Sequence, residues 1–177
     1  WAATIGIDVA QAVALDEADG RLFVLAGGAT GAIYQVDLAT LAIEASVSLG
    51  RAGLALRLSA SGAELYVAAA DAGGIGAGDA ELLVFDLAGA GLGAGPDRTS
   101  PIPGSQSSTV ALATLPDGRL AALIRQDGEL RLWDATVTGA PDDLGPIDPG
   151  VPVVAPEIGP SHMVPHAPQW ATSVSVS

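Results

Sequence analysis

The chain has 177 residues, 49% of them apolar, with 7 Lys+Arg against 20 Asp+Glu, a net charge of −13 and a pI near 4.1. So few cations exclude a phosphate backbone as partner and disfavour an anionic membrane surface; the acidity serves solubility. Cysteine is absent, which removes disulfides, thiolate catalysis, Cys-ligated zinc and covalently attached c-type haem, and no run of about 18 apolar residues offers a membrane span.

Trp1 to Asp8 reads as an orphan strand, because an offset of 42 aligns Ala3–Ile7 with Ala45–Leu49. The chain starts at Trp1, not Met, which leads us to expect a processed protein or a piece of one. Val13 to Gly50 is the unit that later segments repeat. Val13–Leu15 is a short strand before a turn at Asp19-Gly20. Leu22–Ala26 is a second strand that ends in glycines, and Ala32–Val36 a third, closed by Asp37. The fourth, Leu41–Leu49, alternates apolar and polar residues. Four short strands with a turn after each make one blade of a β-propeller.

The second copy runs through Leu54–Leu58, the turn Ser61-Gly62, Glu64–Ala69, a glycine-rich insertion from Asp71 to Asp79, and Leu82–Phe85 closed by Asp86. Gly89 to Gly104 is loop, with Arg98–Ile102 as candidate fourth strand. The third copy runs through Thr109–Ala113, Pro116-Asp117-Gly118, Arg119–Ile124, a turn at Gln126-Asp127-Gly128 and Glu129–Trp133 closed by Asp134. Its fourth strand is expected at Val151–Ala155. A further copy begins at Ile158–Val164 and ends inside a blade, with Ala171–Ser177 as a strand. The whole is one all-β propeller segment over 1–177, divided as 1–8 (partial), 9–50, 51–104, 105–157 and 158–177 (partial). About three and a half blades are visible, so the segment is expected to belong to a larger ring. The alternative is a four-bladed ring in which Ala3–Ile7 completes the last blade.

Asp37, Asp86 and Asp134 end the third strands at spacings of 49 and 48. An aspartate there can accept from nearby backbone N–H groups and fix the turn into the outer strand, so all three are assigned to structure.

Leu65-Tyr66-Val67-Ala68, Leu115-Pro116-Asp117-Gly118-Arg119-Leu120 and Gly159-Pro160-Ser161-His162-Met163-Val164 together resemble the YVTN-type β-propeller repeats. Leu132-Trp133-Asp134 resembles the WD-repeat propellers, but the Gly-His pair that opens such repeats is missing, so that family ranks second. The YVTN resemblance implies an exported protein, periplasmic or extracellular, with closed rings commonly of seven blades.

Candidate chemistry is sparse. His162 and His166 stand four apart, a metal-binding spacing on a helix, but Pro165 and Pro168 exclude a regular helix. On a strand they would lie about 13 Å apart, too far to share an ion. Gly73-Gly74-Ile75-Gly76-Ala77-Gly78-Asp79 is close to one copy of a calcium-binding nonapeptide, with Asp71 and Asp79 as possible ligands; Asp16-Glu17-Asp19 and Asp142-Asp143-Asp148 are further sources of oxygen for Ca²⁺. Acidic turns on an acidic surface explain all of these more simply. Leu82 to Ala94 imitates a dinucleotide loop, but Gly95-Pro96 blocks the helix that such a loop requires. Ser105, Ser107 and Ser108 lack a nucleophile elbow. No catalytic residue and no cofactor is therefore assigned. The reading is a non-catalytic scaffold for a protein partner or for further blades. The alternative is a segment of an exported redox or hydrolytic propeller whose reactive groups lie outside this chain.

Overall fold

A computed structural model describes residues 7, 9–70, 78–87, 91–93, 95–102, 110–115, 117–126, 129–134 and 142–146, with backbone alone at 110 and from 124 onward. The described strands form three antiparallel sheets, each a simple meander of four. The first sheet holds β1 (Ala10–Asp16), β2 (Arg21–Ala26), β3 (Ala32–Asp37) and β4 (Ile43–Ser48). The second holds β5 (Gly53–Leu58), β6 (Glu64–Ala69), β7 (Ala80–Asp86) and β8 (Arg98–Ile102). The third holds β9 (Val110–Thr114), β10 (Leu120–Gln126), β11 (Glu129–Asp134) and β12 (Asp142–Pro146). The protein is all-β, and the sheets are consecutive propeller blades. β1 packs beside β5 and β5 beside β9, so the first strand of each blade lies innermost.

The turns between first and second strands form where the sequence predicts them. Gly20, Gly62 and Gly118 all adopt positive φ (65°, 74° and 86°), a conformation that costs a glycine nothing sterically. Polar groups close each turn. Asp16 Oδ1 accepts from Asp19 N at 3.3 Å, Ser59 Oγ accepts from Glu64 N at 3.0 Å, and Leu115 O accepts from Gly118 N at 2.9 Å.

The core consists of the spaces between blades. Successive side chains of a strand point to opposite faces, so each inner blade feeds two interfaces. Along β6, Leu65, Val67 and Ala69 face the first blade, where they meet Phe23, Leu25, Ile33 and Val47. Tyr66 and Ala68 face the third blade and meet Leu120 and Ala122. β7 divides likewise, with Leu83 and Phe85 to one side and Ala80, Leu82 and Val84 to the other. At the second interface the Tyr66 hydroxyl donates to Glu64, which also takes Arg98 Nη2 at 3.1 Å. Burial, aided by that carboxylate, pushes the Tyr66 phenol up to about 12.

Glycines let the first two blades come close together: a Cβ at position 31 would stand 2.8 Å from Arg51 O. A Cβ at position 53 would stand 2.5 Å from Leu25 Cδ1, so Leu25 occupies space that only a glycine leaves free.

Two expectations need correction. The outer strand of the third blade is Asp142–Pro146, paired to β11, and not Val151–Ala155. The chain reaches its outer strand soon after β11, and an edge position tolerates the proline. In the first blade β4 begins at Ile43 and not at Leu41, because Leu41 lies in the turn with φ 60°. A register shift between Gln35 and Val36 then breaks the strict alternation. The predicted strands at Ala3–Ile7 and Ala171–Ser177, the copy beginning at Ile158, and Val151–Ala155 itself lie outside the described residues, Ile7 apart.

Candidate functional site

The ends of the inner strands surround a cavity of about 540 Å³. It lies at the turns between first and second strands. Its wall combines Val13 to Ala18 from the first blade, Arg57 to Gly62 from the second, and Thr114 from the third. The volume falls within the roughly 300–1,000 Å³ of ordinary ligand pockets, and the lining mixes apolar stems with a few polar groups.

Several of the polar groups have a definite tether. Asp16 is buried, and Arg21 grips its Oδ2 through Nε at 3.1 Å and Nη2 at 2.7 Å. The same Nη2 reaches Asp19 Oδ2 at 2.5 Å. Arg21 in turn lies over the Phe23 ring, 5.7 Å from its centroid, so the charge cluster is fixed to the hydrophobic core. Ser59 and Ser61 hydroxyls are 3.2 Å apart, and Ser61 Oγ accepts from Ala63 N at 3.3 Å. Arg57 Nε donates to Thr114 Oγ1 at 3.2 Å, a bond that ties the second blade to the third across the cavity wall. Such a mouth can position an extended or small ligand by shape and charge.

The aspartates assigned to turns are placed differently from one another. Asp37 Oδ1 accepts from Thr40 N and from Thr40 Oγ1, both at 2.6 Å. These bonds, the hydroxyl's foremost, hold the Asp37 carboxyl below its usual pKa. At the second blade's turn the Asp86 backbone N–H donates to Asp97 Oδ2 at 2.7 Å, so a later aspartate also accepts there. Asp134 ends β11, described in backbone only. His162, His166 and Asp71 lie outside the described residues. Asp79 stands immediately before β7. Asp16 and Asp19, offered as oxygens for calcium, are both taken by Arg21. Asp142 and Asp143 lie on β12, and Asp148 lies outside the described residues. Among the described residues no group of three or more His, Cys, Asp or Glu side chains is placed to hold a metal ion, and no helix is long and apolar enough to cross a membrane.

Sequence reading missed the cavity. Its walls come from three repeats, and the residues that touch across it, Arg57 and Thr114, are separated by 57 positions. It also missed Gln35, a buried amide whose Oε1 accepts from Leu92 N at 3.1 Å and whose Nε2 donates to Glu44 at 2.9 Å. The only signal for Gln35 is a polar residue where the period-two pattern of β3 requires an inward position.

No family model matches the chain, and no curated protein matches it. Solved structures do. The β-propeller domain of Cps50 (Swd1) from Myceliophteria thermophila is similar over 76% of this chain, with 19% identity and a TM-score of 0.51. Kuenenia stuttgartiensis hydrazine synthase is similar over 77%, with 16% identity and a TM-score of 0.56. A structure of the eukaryotic initiation factor is similar over 80%, with 16% identity and a TM-score of 0.53. The chain spans 38%, 36% and 33% of those chains respectively. At these identities the likeness shows the propeller fold alone.

Proposed function

We propose that this chain is a YVTN-type propeller segment that acts as a non-catalytic binding scaffold for a protein partner in an exported or cell-surface setting. Its binding needs no cofactor. The observation that carries this reading is the convergence of turns from consecutive blades around one cavity of about 540 Å³ with a mixed apolar and polar wall. The exported setting rests on the repeat resemblance only.

Further blades belong to the same reading. The face of the first blade away from the second carries Val13, Leu15, Leu22, Val24, Tyr34, Val36 and Ile43, as the strand register requires. Val13, Leu15 and Ile43 are 61%, 48% and 44% exposed. On the second blade the equivalent strand positions, Leu65, Val67, Leu83 and Phe85, are covered by the blade before it. The same apolar pattern on the first blade suits a blade on that side too.

Site-specific photo-crosslinking in the host cell tests the scaffold reading. A photoreactive residue replaces Ala60 in the cavity wall or Ser46 on the outer strand of the first blade. Protein adducts from position 60 and none from position 46 are expected. Adducts from position 46 alone would move recognition away from the mouth and defeat the proposal.

A further inference from the structure

The chain contains no lysine, and its seven cations are all arginines amid 20 carboxylates. With carboxylates so abundant, an arginine should find one close by. Arg21, Arg51, Arg98 and Arg119 each do, on Asp16 and Asp19, Glu81, Glu64 and Asp117 respectively. Arg57 is the exception among arginines with described side chains. Its one bond is to the Thr114 hydroxyl, and no carboxylate of the described residues lies within ion-pair distance.

The hydroxyls beside Arg57 are left as donors. Thr114 Oγ1 accepts the Arg57 Nε proton at 3.2 Å, Ser59 Oγ accepts from Glu64 N at 3.0 Å, and Ser61 Oγ accepts from Ala63 N at 3.3 Å. The two serine hydroxyls, 3.2 Å apart, spend one of their two protons on each other. What remains is the Thr114 proton, one serine proton and both Nη groups of Arg57. None of these meets an acceptor among the described residues. All four residues line the cavity.

Strand geometry brings these donors within reach of one small ion. Thr114 is bonded to Arg57 directly. Ser59 follows Arg57 by two residues, and its N–H, on Glu64 O at 2.8 Å, continues the ladder in which Arg57 pairs with Tyr66. Alternate residues of a ladder share a face, about 7 Å apart. Arg57 and Ser59 therefore stand on the face of the second blade that meets the third, which supplies Thr114. The neighbouring carboxylates are committed elsewhere: Glu64 to Arg98 and the Tyr66 hydroxyl, and Asp16 to Arg21. Glu17 belongs to the first blade's turn and is exposed.

We propose that this corner of the cavity, at the seam of the second and third blades, binds a tetrahedral oxyanion, a phosphate or phosphoryl group. Two oxygens seat on the Arg57 fork, whose plane the Thr114 bond fixes, and a third takes the threonine and serine hydroxyls. A planar carboxylate fills the fork and leaves the hydroxyls unused. The net charge of −13 opposes the ion at long range, so binding is short-range and depends on Arg57 itself. A single ion needs one guanidinium, whereas a nucleic acid needs a row of cations. The proposal goes beyond the scaffold reading and stands or falls apart from it.

The test is a nuclear magnetic resonance titration of the full chain with inorganic phosphate in about 0.15 M salt, with acetate at matched ionic strength. Phosphate should give saturable shifts at the Arg57 Nε–H and at the Ser59 and Thr114 amides, and should bind at least about tenfold more tightly than acetate. Glycerol phosphate in a parallel titration separates the sources. Tighter binding than inorganic phosphate assigns a phosphoryl group on a larger ligand, and equal or weaker binding assigns the free ion. Arg57→Gln should weaken phosphate at least about tenfold and Thr114→Val by less, while Arg51→Gln, before the opposite end of β5, should change nothing. Shifts that do not saturate, acetate binding as tightly as phosphate, or an equal loss from Arg51→Gln overturns the proposal. The comparison of phosphate with acetate on the unaltered chain decides even where a variant fails to fold. Protein adducts at position 60 report on the scaffold reading alone, so either proposal can fail without the other.

Discussion

The first two blades join their third strand to their outer strand in opposite ways. In the first blade the link is a tight turn whose bonds stay within that blade, with Leu38 N reaching Gly20 O at 2.9 Å. Asp37 N donates to Ala42 O at 3.0 Å, Leu41 N to Asp37 O at 2.8 Å, and Thr40 to the Asp37 carboxylate. In the second blade the link between β7 and β8 is longer, and it leans on its neighbour. Leu87 and Leu92 are buried in the core shared with the first blade, and Leu92 N donates to Gln35 on β3. One connection stabilises its own blade. The other transfers its energy to the seam between two blades.

Substitutions can break this contrast. Leu92→Ala should cost about 2–5 kcal/mol, the usual range for truncating a buried leucine. Leu38→Ala, in the first blade's turn and 36% exposed, should cost far less. Urea unfolding of the two variants measures the difference, and equal losses would erase the distinction. Gln35→Leu leaves the buried Leu92 N–H without its acceptor and should cost about 1–3 kcal/mol. Amide exchange at Leu92 should accelerate in that variant, and unchanged protection would show that the cross-blade bond is dispensable.

Smaller effects sharpen the picture within each turn. Asp97→Ala removes the acceptor of Asp86 N and should cost about 0.5–2 kcal/mol, like the loss of a helix cap. A thermal melt indistinguishable from the parent would place that turn's stability elsewhere. Leu41→Gly should stabilise the first turn by about 0.5–1 kcal/mol, because a leucine at φ 60° is strained and the strain exceeds glycine's entropic cost. A lowered melting point would mean that the Leu41 side chain contributes more than its backbone loses. The least effect is pH-dependent. The Asp37 pKa is lowered in the folded state, first by the Thr40 hydroxyl and then by the Thr40 amide. Its stabilisation is therefore complete above the ordinary value of 3.8 and disappears as pH falls through the lowered one. The gap in melting temperature between the parent and Asp37→Asn should close across that acid range, and a constant gap would show that the ionised carboxylate adds nothing.

The blades were legible because their strands advertise themselves twice, by alternating apolar residues and by glycines at the turns. Gly20, Gly62 and Gly118 mark three first-to-second turns, and each has the positive φ that its neighbours in sequence call for. Asp142–Pro146 was not legible. Two aspartates, a glycine and a proline have poor strand propensity, and an outer strand takes its conformation from the strand it pairs with. The cavity was illegible for a different reason. Arg57, Leu15 and Thr114 belong to separate repeats, and their juxtaposition arises only when three blades stand side by side. Leu92 sits in a stretch rich in glycine and was read as loop. It is loop, but one whose single large side chain is buried.

The close approach of Leu25 to Gly53 has a bearing on symmetry. Blades around an axis divide one full rotation among themselves, so the angle between neighbours decides how many can be accommodated. That angle depends on how deeply one blade wedges into the next near the axis, and β5 is an innermost strand. Leu25 enters because position 53 has no side chain, with a hypothetical methyl carbon only 2.5 Å away. Adding that carbon would force the wedge open at its narrow end. The missing methyl group thus works as a gauge, and the number of blades that an assembly of this kind can admit is written partly in a residue that contributes no side chain to it.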